Sequence, residues 1–72
     1  MNLKFSIHFE QRLIERGISI DHVKKAIREP DEISSGFGGK IVVSKKIGDK
    51  TIKVVYSESS GKQYLIITAY YI

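Results

Sequence analysis

The chain has 72 residues, 42% of them hydrophobic, a formal net charge of +4 and no cysteine. A chain this short buries only about 60% of the surface it exposes when unfolded, so residues 1–72 make one small domain with a thin core, and a TIM barrel or a nucleotide-binding βαβαβ half-domain does not fit. Disulfides and thiolate metal sites are excluded, and no apolar run approaches the ~20 residues of a membrane span.

The N-terminus, Met1-Asn2-Leu3-Lys4-Phe5-Ser6, lacks an apolar signal core, so a cytoplasmic location is expected. Helix 1 is predicted to begin at Ser6, a good N-cap, and to end at Gly17, a good C′ residue. On its wheel Phe9 and Leu13 share one side, while His8, Arg12, Glu15 and Arg16 fill an adjoining arc. Helix 2 is predicted to start at Ser19, with Asp21 in the first turn, where a carboxylate suits the helix dipole. Ile20, Val23, Ala26 and Ile27 form its core stripe. Pro30 stops it, because proline disfavours helical geometry at Glu29 and cannot continue the hydrogen-bond ladder.

Near Gly36-Phe37-Gly38-Gly39 the pattern changes from helical to alternating. Strands are predicted over Lys40–Ile47, Thr51–Ser57 and Gln63–Tyr71, joined by turns at Gly48-Asp49-Lys50 and Ser59-Ser60-Gly61-Lys62. Strict alternation in the last strand sets Leu65, Ile67, Ala69 and Tyr71 against Tyr64, Ile66, Thr68 and Tyr70. Asn2–Phe5 is expected to add a short strand beside it. The fold class is therefore α+β, (β)ααβββ: two helices packed on one face of a three- to four-stranded antiparallel sheet. Its other face is left open to a ligand.

Charge is unevenly placed. Residues 1–36 balance six basic against six acidic side chains. Residues 37–72 carry Lys40, Lys45, Lys46, Lys50, Lys53 and Lys62 against Asp49 and Glu58. A one-sided basic field attracts polyanions, of which nucleic acid is the common cellular one. Simple solubility and protection of strand edges explain the same lysines. Lys45, Lys46 and Lys53 are the candidate RNA-binding residues.

Chemistry is sparsely supplied. His8 and His22 lie fourteen residues apart on different predicted helices, no metalloprotease helix motif is present, and no metal site or cofactor is expected. A Gly-x-Ser-x-Gly elbow is missing as well. The best constellation is His8-x-x-x-Arg12-x-x-x-Arg16, because a spacing of four puts three side chains on one side of a helix. Histidine exchanges a proton near neutral pH, and arginine presents a fork of donors to phosphate. One proton carrier beside two phosphate clamps is the minimum for metal-independent RNA cleavage. Thr68, Tyr70 and Tyr71 can add hydroxyls, and tyrosine can stack on a base. Structural readings stand beside these: His8 as a cap or packing residue, Arg12 as an ion-pair partner of Glu15, Arg16 as a helix-dipole partner, His22 as a solvated surface residue, and the tyrosines as sheet packing.

The run His8-Phe9-Glu10-Gln11-Arg12-Leu13-Ile14-Glu15-Arg16-Gly17-Ile18-Ser19, then Val23, Ile27 and Pro30, then Ile66-Ile67-Thr68-Ala69-Tyr70, resembles the small prokaryotic domain of unknown function 4258 family over nearly the whole chain. That family is in turn similar to the RelE/ParE toxin superfamily and the related BrnT-type toxins. The resemblance implies a toxin-like ribonuclease fold, with His8, Arg12 and Arg16 as the first candidate catalytic residues and Thr68 and Tyr70 as the second. RelE-type members cut messenger RNA on the ribosome, whereas ParE-type members act on DNA gyrase, so fold does not fix chemistry. This chain departs from typical RelE toxins in carrying little charge or histidine at its C-terminus. Expected partners are RNA, free or ribosome-bound, an antitoxin protein and a second copy in a homodimer, with no membrane. A non-catalytic RNA- or protein-binding module is the alternative.

Overall fold

The computed structural model describes residues 2–5, 7–59 and 63–72, without the side chains of Asn2, Ile7, His8 and Ser59. The expected N-cap Ser6 and most of the Ser59–Lys62 turn lie outside the described residues. The elements are β1 (Asn2–Phe5), α1 (Ile7–Arg16), α2 (Ile20–Arg28), β2 (Glu32–Ser35), a short 3-10 turn at Phe37–Gly39, β3 (Ile41–Ile47), β4 (Lys50–Ser59) and β5 (Gln63–Tyr71).

α1 ends where glycine permits a left-handed residue. Gly17 has φ 63°. Its N–H reaches the Ile14 carbonyl at 3.3 Å, and that of Ile18 reaches Leu13 at 2.9 Å. These are the two bonds of a Schellman cap, and the buried pair Leu13 and Ile18 supplies its apolar contact. α2 closes at Glu29, whose N–H donates to the Lys25 carbonyl at 2.8 Å just before Pro30. Ser19 does sit at the N-cap in extended geometry, but its hydroxyl makes no capping bond.

The sheet has five strands in the order β1-β5-β4-β3-β2. β1 runs parallel to β5, and the other pairs are antiparallel. The sheet is thus mixed and wider than the sequence suggested. β2 was missed because Glu32-Ile33-Ser34-Ser35 carries one apolar residue, and all four positions are exposed. The first hairpin follows the turn chemistry. Ile47 pairs with Lys50, and Gly48 takes φ 64° between them.

Both helices cover one face, α1 contacting β5 and α2 contacting β4 and β3. The core joins Phe9, Leu13, Val23, Ala26 and Ile27 of the helices to Val43, Ile52, Val54, Tyr56, Ile66 and Ala69 of the sheet. Phe5 stacks on Phe9 at 5.7 Å, fixing β1 to α1.

The spacing of buried residues in β5 breaks the expected alternation. Tyr56 pairs with Ile66, and Val55 pairs with Thr68. Ile67 is the extra residue of a β-bulge. Tyr64 and Ile66 therefore share the helix-covered face with Ala69 and Tyr71, whereas Leu65, Thr68 and Tyr70 face the other way. Strict alternation had assigned Ile66 and Ala69 to opposite faces; both are fully buried. Ile52→Ala, at a position with no exposed surface, is expected to cost about 2–5 kcal/mol in chemical denaturation. Ile14→Ala, at 84% exposure, is expected to stay within about 0.5 kcal/mol.

Candidate nucleic-acid interface

α1 holds its core side inward through Phe9 and Leu13 and leaves Gln11, Arg12, Glu15 and Arg16 exposed. His8 lies in the first turn of this helix, with its side chain outside the described residues. Among the described residues neither Arg12 nor Arg16 forms an ion pair, and the pairing of Arg12 with Glu15 does not occur; the ion pair present joins Lys45 to Asp31. Spacing by four sets positions 8, 12 and 16 along one ridge, drifting about 40° per step. Arg16 also sits in the last turn, where the helix dipole favours a cation.

Three hollows open on the described surface. One, of about 310 Å³, lies between Phe5, Glu10, Leu13, Ile14, Ile18 and Ile20. Another, of about 400 Å³, lies among Asp21, Lys24, Lys25 and Arg28. The third, of about 170 Å³, is a shallow depression bordered by Glu32, Ser34, Val42, Ser44, Lys53 and Ile72. Arg12 and Arg16 line none of them.

Thr68 and Tyr70 lie on the open face of the sheet. Register places Tyr70 beside Lys53, Lys53 beside Ser44 and Ser44 beside Glu32. The next row runs Thr68, Val55, Val42 and Ser34. Since α1 packs on the opposite face, the sheet separates Thr68 and Tyr70 from the α1 ridge. Thr68 and Tyr70 thus stand on the far side of the sheet from Arg12 and Arg16, because of the bulge at Ile67 and the side on which α1 packs; the His8 side chain lies outside the described residues.

The candidate lysines also divide. Lys46 and Lys53 belong to the open face, Lys46 beside Thr51. Lys45 pairs with Ile52 on the helix side, and its ammonium lies 3.3 Å from Asp31 Oδ1. Lys45 is thus engaged within the protein and does not join Lys46 and Lys53 in one patch. Asp31 also accepts the Lys46 backbone N–H at 2.7 Å. That hydrogen bond, and then the Lys45 ammonium, hold its carboxyl below the ordinary 3.8.

Sequence reasoning missed a second cluster. Tyr71 Oη accepts the Ser19 backbone N–H at 3.4 Å and lies 2.9 Å from His22 Nδ1. With the imidazole proton on Nε2, the phenol donates to Nδ1. The Lys50 ammonium stands 5.4 Å from the Tyr71 ring centroid. His22 is half-buried rather than solvated. The available signal was its spacing: it lies four residues before Ala26, a core position. The cluster ties the start of α2 to the end of the sheet. Among the described residues no three of His, Cys, Asp and Glu gather where they could hold a metal ion. No described helix is long and apolar enough to cross a membrane.

Two measurements check these contacts. Tyr71→Phe removes a phenol that serves two partners, and a loss of about 1 kcal/mol in unfolding free energy is expected. Asp31 has a depressed folded-state pKa, so its contribution is present above the unfolded value and is lost as pH falls through the folded one. The Tm deficit of Asp31→Asn should accordingly shrink as pH is lowered below the carboxylate range. A deficit independent of pH would contradict this assignment.

The model of the family described as Domain of unknown function (DUF4258) matches residues 5–71. No curated protein and no solved structure matches the chain. With the match running over nearly its whole length, the chain belongs to the DUF4258 family.

Proposed function

We propose that this DUF4258 domain is a toxin-like, metal-independent endoribonuclease of a prokaryotic toxin–antitoxin or related conflict system, acting through the outer ridge of α1. One observation carries the reading: Arg12 and Arg16 are both exposed, one turn apart, and unpaired among the described residues. A guanidinium with no internal partner is available to a phosphate. The resemblance of the His8-x-x-x-Arg12-x-x-x-Arg16-Gly17-Ile18 run to RelE/ParE and BrnT-type toxins supports the same assignment. So does the basic excess of residues 37–72.

In this mechanism His8 removes the proton from a ribose 2′-hydroxyl. The 2′-oxygen attacks phosphorus, and Arg12 and Arg16 stabilise the charge of the pentavalent phosphorane. The phosphorus–5′-oxygen bond breaks on the opposite side, where a solvent water protonates the leaving oxygen, and the imidazolium releases its own proton to solvent. The products are a 2′,3′-cyclic phosphate and a 5′-hydroxyl, and the histidine ends as it began. Lys46 and Lys53, across the sheet, contribute to the long-range field that draws RNA in. Thr68 and Tyr70 contact RNA only where a strand also crosses the open face.

A second reading, an RNA- or protein-binding module without cleavage, is favoured by a different observation. Among the described residues Arg12 and Arg16 line none of the three hollows given above, and an exposed guanidinium suits phosphate binding better than a reaction that requires water to be excluded.

The expected outcome is cleavage of single-stranded or ribosome-bound RNA that persists in chelator and is lost in His8→Ala with an unchanged circular dichroism spectrum. Arg12→Ala and Arg16→Ala should each flatten the slope of log affinity against log salt by about 0.7. Salt-dependent binding without cleavage selects the second reading. Neither binding nor cleavage, with unimpaired growth on expression, defeats both.

A further inference from the structure

We infer that the outer edge of β2 pairs with the same edge of a second copy, in a two-fold antiparallel arrangement centred on Ser34. This inference is independent of the RNA reading, since it uses neither α1 nor Lys46, Lys53, Thr68 or Tyr70.

β2 is a terminal strand of the sheet, and all four of its residues are exposed. A terminal strand presents a row of unpaired backbone donors and acceptors, which proteins usually guard with lysine, proline or a bulge. Glu32-Ile33-Ser34-Ser35 contains no lysine or proline. β1, the strand at the opposite edge, carries Lys4.

The direction of the backbone groups fixes a register. Gly36 N–H donates inward to the Lys40 carbonyl at 2.7 Å. In an antiparallel ladder inward-bonded residues alternate with outward ones. Glu32 and Ser34 therefore bond to β3, while Ile33 and Ser35 turn their N–H and C=O groups outward. Setting Ile33 opposite Ser35 of the second copy satisfies both outward residues at once, with four hydrogen bonds about the axis.

Charge and shape agree with that register. It brings Glu32 opposite Gly36 of the second copy, on the same face of the joined sheet. A Cβ on Gly36 would lie 3.2 Å from the Lys40 Cβ, so the Lys40 side chain starts directly beside this glycine. Two strand spacings, about 9.6 Å, then separate Glu32 from Lys40 of the second copy, across a position with no side chain. That gap is within reach of the two long side chains. Neither residue has an ion-pair partner among the described residues. The edge is acidic at its start and basic at its end, as a two-fold antiparallel contact requires. On the other face the pairing sets Ile33, 68% exposed, opposite Ser35 of the second copy. Large apolar side chains that exposed gain most from being covered.

Sedimentation velocity over a concentration series tests the pairing. The wild type should shift reversibly from monomer to dimer. Glu32→Lys and Lys40→Glu should each raise the dissociation constant about tenfold, since each change turns two attractive pairs into repulsive ones. The double variant Glu32→Lys/Lys40→Glu should recover wild-type association. Ser35→Pro should leave a folded monomer, because it removes an outward N–H without touching the inward ladder. A monomer at every concentration, or a dimer indifferent to the charge reversals, would overturn the inference. A dimer weakened by both single changes and not rescued by the double one would point to a different contact and also overturn it.

Discussion

One extra residue in the last strand governs how this small protein divides its side chains. The bulge at Ile67 shifts β5 by one position against β4. Without it, Ile66 and Ala69 would point to opposite faces, and one of two fully buried core residues would be lost. With it, the helix-covered face receives Tyr64, Ile66, Ala69 and Tyr71, and the single thin core closes. The same shift sends Thr68 and Tyr70 to the open face, beside Val55 and Lys53. Core formation and the placement of polar side chains are thus one event. A strand running between two differently used faces cannot alter one without the other.

The helices are held by contacts that leave the α1 ridge uncovered. Phe9 and Leu13 take the inner side, and the Schellman cap at Gly17 turns the chain directly into Ile18 and α2. The start of α2 is tied to β5 through the Ser19–Tyr71–His22 contacts. None of these anchors uses Arg12 or Arg16. A chain this small has few side chains to spare. Among the described residues Arg12 and Arg16 stand without ion-pair partners on one exposed helix face, Arg16 where the helix dipole also favours a cation. Asp31 behaves in the opposite way, drawing Lys45 into the fold and fixing the entry into β2.

The legible parts of the sequence were those in which local chemistry decides the outcome. Gly17 and Pro30 marked helix ends because positive φ and a missing N–H act locally. Gly48 marked the first hairpin for the same reason. The helix stripes Phe9–Leu13 and Val23–Ala26–Ile27 were legible because a period of 3.6 is a strong signal, but Ile20, assigned to the second stripe, is exposed at the start of α2. β2 escaped notice because an exposed terminal strand needs no apolar alternation. β1 does lie beside β5 as expected, but its parallel direction is set by a partner some sixty residues away, which no local pattern records. The bulge was invisible for a subtler reason. Both faces of β5 are partly apolar, so Tyr64 to Tyr71 fits two registers equally well. That ambiguity carried into the site: Arg12 and Arg16 are exposed on α1, and the face of β5 that carries Thr68 and Tyr70 was not recoverable from its alternation. His22 and Tyr71 meet only through tertiary structure.

The central claim is that the α1 ridge, and not the opposite sheet face, holds the RNA backbone. Nuclear magnetic resonance of the ¹⁵N-labelled protein, titrated with a short single-stranded RNA, tests it directly. The side-chain Nε–H resonances of Arg12 and Arg16 should shift saturably and together, with those of Thr68 and Tyr70 backbone amides unchanged. Saturable shifts at Lys53, Thr68 and Tyr70, with both arginines silent, would contradict the claim.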